Sequence, residues 1–152
     1  MEGGSIRRAM GAEGRFRSVE AMLIPAIVLI TGALLAYTTG VWAERRSGVL
    51  KPWHAGFFAL GLALDVAGTA TMSAIARSGQ AAATGAAGVL TGIMQVTGAA
   101  ALVLMAAHLA WALVVLIRGS ERARGRFHRF STTVWAIWLV PYFTGMVGSM
   151  AS

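Results

Sequence analysis

Four apolar runs dominate this chain, and each is long enough to cross a lipid bilayer. They cover about residues 21–42, 53–76, 89–117 and 130–150. A bilayer core is matched by roughly 20 apolar residues in an α-helix. Backbone polar groups in lipid must bond within their own segment, so runs of this length fold as helices. The expected fold is all-α, an integral membrane four-helix up-down bundle. The segments between the runs are short, which makes consecutive helices antiparallel neighbours. Residues 1–20 are polar and basic, with Arg7, Arg8, Arg15 and Arg17, and stand apart as a short interfacial helix or a mobile segment. The four-helix domain is expected over 21–152.

The balance of residue types agrees. Hydrophobic residues make up 57% and charged residues 12%, against roughly 25% charged in an average soluble domain. The net charge of +7 gathers between the apolar runs, at headgroup depth. It reads as membrane-flanking charge, with no nucleic-acid partner. No cysteine is present, which excludes disulfides and thiolate metal sites. Val41-Trp42-Ala43 has the look of a signal cleavage site. The first run is longer than the usual signal core of about 7–15 residues, so a retained helix is expected.

The connections carry the orientation. Glu44, Arg45, Arg46, Ser47 and Gly48 form a short polar loop, and Pro52 suits a first helical turn. A small-residue connection runs over 77–88 and a basic one over 118–129. The first and third loops together hold Arg45, Arg46, Lys51, Arg118, Arg122, Arg124, Arg126 and Arg129, against Arg7, Arg8, Arg15, Arg17 and Arg77 on the other side. The positive-inside rule puts those two loops in the cytoplasm and both termini outside. Gly61 and Gly68 on the second helix, and Gly98 and Ala101 on the third, mark contact faces. They let backbones approach closely or make room for a flat ligand. Pro141 is expected to kink the fourth helix.

Four ionisable residues stand out. His54 opens the second helix, His128 opens the fourth, and His108 lies well inside the third. His108 is roughly nine residues, or about 13 Å, from the end of its run. All three therefore fall in one half of the bilayer. An imidazole in hydrocarbon is costly unless paired, so His108 is the first candidate for function. The alternative is a histidine bonded to a neighbouring carbonyl or hydroxyl. For His54 and His128 that alternative is stronger, because interfacial histidines are cheap.

Imidazoles without carboxylate or cysteine partners suit a haem iron better than zinc. A b-type haem needs no covalent attachment motif. Arg45, Arg46, Lys51 and Arg129 could pair with its propionates. Trp53, Trp111, Trp135 and Trp138 could pack on the macrocycle, with Trp111 and Trp138 expected further in than the interfacial Trp42 and Trp53. Asp65 lies eleven positions after His54, about three helical turns and 16 Å along one face. A carboxyl group there is expected to be protonated or bonded to Thr69 one turn on, and it is read as a proton relay or quinone contact, or as a helix-packing hydrogen bond.

Taken together, these spaced residues resemble the HsmA-like family of small bacterial membrane proteins. The resemblance rests on Trp53-His54, Gly61-Leu62, Asp65 and Gly68-Thr69, and on residues 105–112 around His108 and Trp111. It extends to Phe127-His128-Arg129-Phe130, Trp135, Trp138, Pro141-Tyr142 and Gly145-Met146. It covers about residues 22–150 and implies haem binding in a bacterial inner membrane, linked to haem sensing and oxidative-stress defence. Carried across by position are His54, Asp65, His108, Trp111 and His128. Where some relatives have a further histidine, this chain has Met94, which puts a second haem in doubt.

The expected cofactor is haem b, held by two of the three histidines. The expected partners are the lipid bilayer and a quinone or membrane redox partner. A different class of reading is a non-redox structural or partner-binding subunit of a membrane complex. A third is a small transporter component using Asp65, although no inverted repeat supports it. No nucleotide-binding loop, nucleophile elbow or metalloprotease motif is present. Helix one brings no histidine and reads as a packing wall.

Overall fold

The structure, a computed structural model, describes residues 3–79 and 86–150. Among them the secondary structure is four helices: α1 Gly3–Ser47, α2 Pro52–Gly79, α3 Ala86–Arg118 and α4 Glu121–Met150. Residues 80–85 of the small-residue connection lie outside the described residues, as do the side chains of Arg7, Arg8, Arg15, Met94 and Met146. The helices pack as α1 on α2, α2 on α3, α3 on α4 and α4 on α1.

Three of the helices are long and apolar enough to cross a membrane: the stretches Ala21–Ser47, Pro52–Arg77 and Gln95–Arg118. The apolar part of α4 is diluted by Thr132, Thr133, Trp135, Trp138, Pro141 and Tyr142, and its start carries four arginines.

Helix ends differ from the expected ones for a common reason. Charged residues at a run's edge read as loop, yet Arg and Glu are good helix formers. Thus α1 continues through Glu44, Arg45 and Arg46 and stops only at Gly48. There a φ of +66° and a bond from Gly48 N–H to the Glu44 carbonyl (3.0 Å) end the helix in the left-handed conformation. At its other end α1 runs unbroken from Gly3, so the basic segment is part of one 45-residue helix. Likewise α4 begins at Glu121, and the basic loop shrinks to Gly119 and Ser120. Ser120 caps it, its hydroxyl accepting from Ala123 N–H at 3.3 Å. His128 therefore does not open α4 but lies two turns inside it.

The α1–α2 contact is built on the glycines. A Cβ on Gly61 would meet the Tyr37 ring at 2.5 Å, and one on Gly68 would meet Ile30 Cγ1 at 2.5 Å. These glycines give close approach, and side chains of α1 already fill the space a flat ligand would need. Gly40 similarly faces Phe57 and Phe58. The pairs Gly40–Phe58, Tyr37–Gly61 and Ile30–Gly68 show α1 and α2 running in opposite directions. Inside lie Tyr37, Val41, Leu50, Phe58, Met105, Ala112, Phe127, Val134 and Trp138.

Candidate functional site

The first and third connections meet at one end of the molecule. Leu50 N–H donates to the Arg124 carbonyl (3.3 Å), and the Arg124 guanidinium donates to the Leu116 carbonyl (2.6 Å). Just inside this end each helix brings a buried polar side chain: Glu44 on α1, His54 on α2, His108 on α3 and Ser131 on α4. Their levels follow from the contacts. Glu44 is one turn beyond Gly40 and His54 one turn before Phe58, so these two are level. The Ser131 hydroxyl lies beside the Glu44 carboxylate, without hydrogen-bond geometry. His108 packs on Phe58 with ring centroids 4.6 Å apart.

His54 is held by its own helix start. Its Nδ1 accepts from Lys51 N–H at 3.0 Å, while His54 N–H donates to the Lys51 carbonyl at 3.0 Å. This is one half of a capping box, the third-position side chain reaching back to the N-cap N–H, with histidine in the place of glutamate or glutamine. Its consequence is chemical. A neutral imidazole that accepts at Nδ1 carries its hydrogen on Nε2. Nε2 is buried and finds no acceptor. A metal-ligating nitrogen must be bare, with the hydrogen on the other one. His54 is thus in the tautomer that does not ligate.

His108 is different. It is 1% exposed and neither ring nitrogen has a partner. Phe58, Phe127 and Phe130 surround it at centroid distances of 4.6, 5.5 and 6.0 Å. The expected alternative, a bond to a carbonyl or hydroxyl, is not made. His128, next to Phe127, is half-buried and its Nδ1 is also buried and unpaired.

Deeper in, Asp65 is buried and accepts from the indole N–H of Trp138 at 3.0 Å. The partner is on α4, not Thr69 on the same helix. The Tyr37 hydroxyl lies beside this carboxylate. Asp65 and His54 do share the inward face of α2, as their spacing requires.

Sequence reasoning missed Glu44, Tyr37, Ser131 and the depth of Trp138's role. Glu44 reads as a loop residue from the charged run that follows Trp42, whereas α1 continues through it to Ser47. The signal was available: Ala33, Tyr37, Gly40 and Glu44 form a stripe at helical spacing. Helix one is therefore more than a packing wall. Trp111 faces out of the bundle. It is 53% exposed, while the buried stripe of α3 is Met105, His108, Ala112 and Val115. Trp53 is also outward, tilted against His54 at 3.9 Å. Arg45, Arg46, Lys51 and Arg129 are exposed, and Arg45 sits over the Trp42 ring at 5.4 Å.

No family model matches the chain, and no curated protein or solved structure is significantly similar to it. Function is therefore argued from the site. Among the described residues no three His, Asp or Glu side chains converge as a metal-ion cluster. A haem asks for less, since its ring supplies four ligands and the protein one or two. The donor chemistry fits at His108, whose nitrogens are both free, and at His128 Nδ1. It does not fit at His54. The Gly61 and Gly68 faces offer the ring no slot.

Proposed function

We propose that the protein is a membrane-spanning up-down four-helix bundle that binds b-type haem, acting in haem buffering or single-electron transfer linked to oxidative-stress defence. The observation that carries this reading is His108: a fully enclosed imidazole with two unpaired nitrogens. A buried polar group without a partner is costly and calls for an explanation. A haem iron is one that suits a neutral imidazole in an apolar cage.

Membrane insertion is supported by large apolar side chains exposed on every helix, among them Ile24, Val66, Val96, Ile117 and Val140. Such a surface is unfavourable in water and suited to lipid. The basic connections near Glu44, His54 and Ser131 then face the cytoplasm.

In this reading His108 ligates the iron and His128 is the second candidate. Phe58, Phe127 and Phe130 exclude water around His108. Arg45, Arg46, Lys51 and Arg129 meet the propionates at the polar edge. The haem, when bound, supplies a one-electron iron couple. Its electron partner is a quinone or a membrane redox protein.

The test is an absorption spectrum of purified protein in detergent, oxidised and reduced. A Soret band that His108→Ala removes is expected. A preparation that stays colourless after haem is added sinks the proposal. The competing reading, a structural or partner-binding subunit, is favoured by His54 and Asp65, whose bonds serve capping and helix packing. It predicts that His108→Ala changes stability and no cofactor spectrum.

A further inference from the structure

The outward face of α2 is not smooth. Trp53, Gly56, Phe57 and Leu60 line a groove of about 300 Å³. These positions follow helical spacing, so the groove runs along the helix axis for about 10 Å. Gly56 leaves it open, since a Cβ there would meet nothing within 4 Å. Trp53 and Leu60 stand at its two ends, 49% and 50% exposed. A Cβ on Gly40 would meet Phe57 Cβ at 3.2 Å, so α1 backs the groove at that point. No charged side chain lines it.

The Trp53 end of the groove opens beside a cluster of positive charge. Lys51 lies two residues before Trp53, and Arg45 and Arg46 close α1 just across the turn. All three side chains are exposed, and among the described residues none of them makes an ion pair. The turn that carries them is held in place. The Ser47 hydroxyl donates to the Val49 carbonyl at 2.9 Å, Leu50 N–H donates to the Arg124 carbonyl at 3.3 Å, and Lys51 N–H donates to His54. The N-terminus of α2 adds its own partial positive charge at this end.

An apolar slot parallel to the helix, ending at unpaired cations, has the shape and charge of an acyl chain under an anionic headgroup. A zwitterionic lipid brings its own cation to that end, a quinone brings no charge, and a free phosphate leaves the groove empty. We propose that this face of α2 binds one anionic phospholipid, with its phosphate at Lys51 and the start of α2 and one acyl chain along Trp53, Gly56, Phe57 and Leu60. Trp53 then sits at headgroup depth, where amphipathic rings are favoured. The proposal rests on the membrane-spanning reading and not on haem. Arg129, next to His128, remains for the propionates.

The experiment is native mass spectrometry of the full chain, released from detergent micelles after exchange against equimolar phosphatidylglycerol and phosphatidylcholine. Circular dichroism checks that each variant keeps its helices. Wild type should retain one phosphatidylglycerol in preference to phosphatidylcholine. Gly56→Leu fills the groove where no atom has to move, so it should fold and lose the retained lipid. Gly92→Leu, on α3 and equally open, should keep it. Lys51→Gln should weaken phosphatidylglycerol retention about fivefold, the worth of one basic residue near a membrane surface. Equal retention of the two lipids by wild type overturns the proposal, as does retention unaffected by Gly56→Leu or by Lys51→Gln. Displacement of the bound lipid by equimolar ubiquinone also overturns it. A chain that enters lipid nanodiscs yet retains no phosphatidylglycerol overturns the lipid site alone. A chain that does not enter them overturns the membrane-spanning reading as well.

Discussion

The backbone N–H of Lys51 donates to Nδ1 of His54 at 3.0 Å, and this one bond fixes what His54 does. It satisfies a donor at the start of α2 and leaves the imidazole hydrogen on Nε2. The residue is a cap rather than an iron ligand. His54→Ala should therefore lower unfolding stability by about 1–2 kcal/mol, the usual cost of a lost cap. His54→Gln should recover most of it, since glutamine makes the same bond from the third position. Neither should alter a haem spectrum. Denaturant unfolding in detergent, beside absorption spectra, checks both parts.

His108 should behave oppositely. Its nitrogens have no hydrogen-bond partners, so its polarity costs stability. His108→Leu keeps an apolar side chain of similar size among Phe58, Phe127 and Phe130. Such a replacement of an unpaired buried polar group is near neutral or stabilising, by up to about 1 kcal/mol. Haem binding should be lost completely. The paired measurement is the melting temperature of haem-free protein and the Soret absorbance after haem addition. A strongly destabilised, still coloured variant would contradict the assignment.

How much of this was legible in the sequence depended on the range of the interaction. The helices follow from long apolar runs, and His108 from the cost of imidazole in hydrocarbon. The positions of α1's end and α4's start do not, because arginines at a helix edge look like arginines in a loop. Glu44 lies in that stretch, and its side chain is 0% exposed. Asp65 was recognised as expensive, but its partner Trp138 is 73 positions away. No local pattern names such a partner. Trp111 lies close to His108 in the chain yet points out of the bundle. At three residues' separation it is rotated about 60° from His108 around the helix, and the inward place goes to Ala112.

The Asp65–Trp138 bond joins α2 to α4, two helices that are not neighbours in the packing order. Removing the indole N–H strands a buried carboxylate. A double-mutant cycle with Trp138→Phe and Asp65→Ala should give a coupling energy of about 1–2 kcal/mol. This exceeds the average interhelical bond in membranes because donor and acceptor are both buried. Unfolding of the wild type, both single variants and the double variant supplies the four numbers. Coupling near zero would mean the bond is incidental to packing.

The glycines of α2 separate close approach from mere helix tolerance. At Gly61 an added methyl group would lie 2.5 Å from the Tyr37 ring. That ring is buried and stiff, so the helices must part or the ring must leave Asp65. Gly61→Ala should cost about 1–3 kcal/mol, the range for overpacking. At Gly68 the obstacle is Ile30 Cγ1, on a side chain that can change rotamer, so Gly68→Ala should cost less. At Gly56 nothing lies within 4 Å. There the variant should be stabilised by up to about 1 kcal/mol, the helix-propensity gain of alanine over glycine. The order of melting temperatures, Gly56→Ala highest and Gly61→Ala lowest, tests the packing directly.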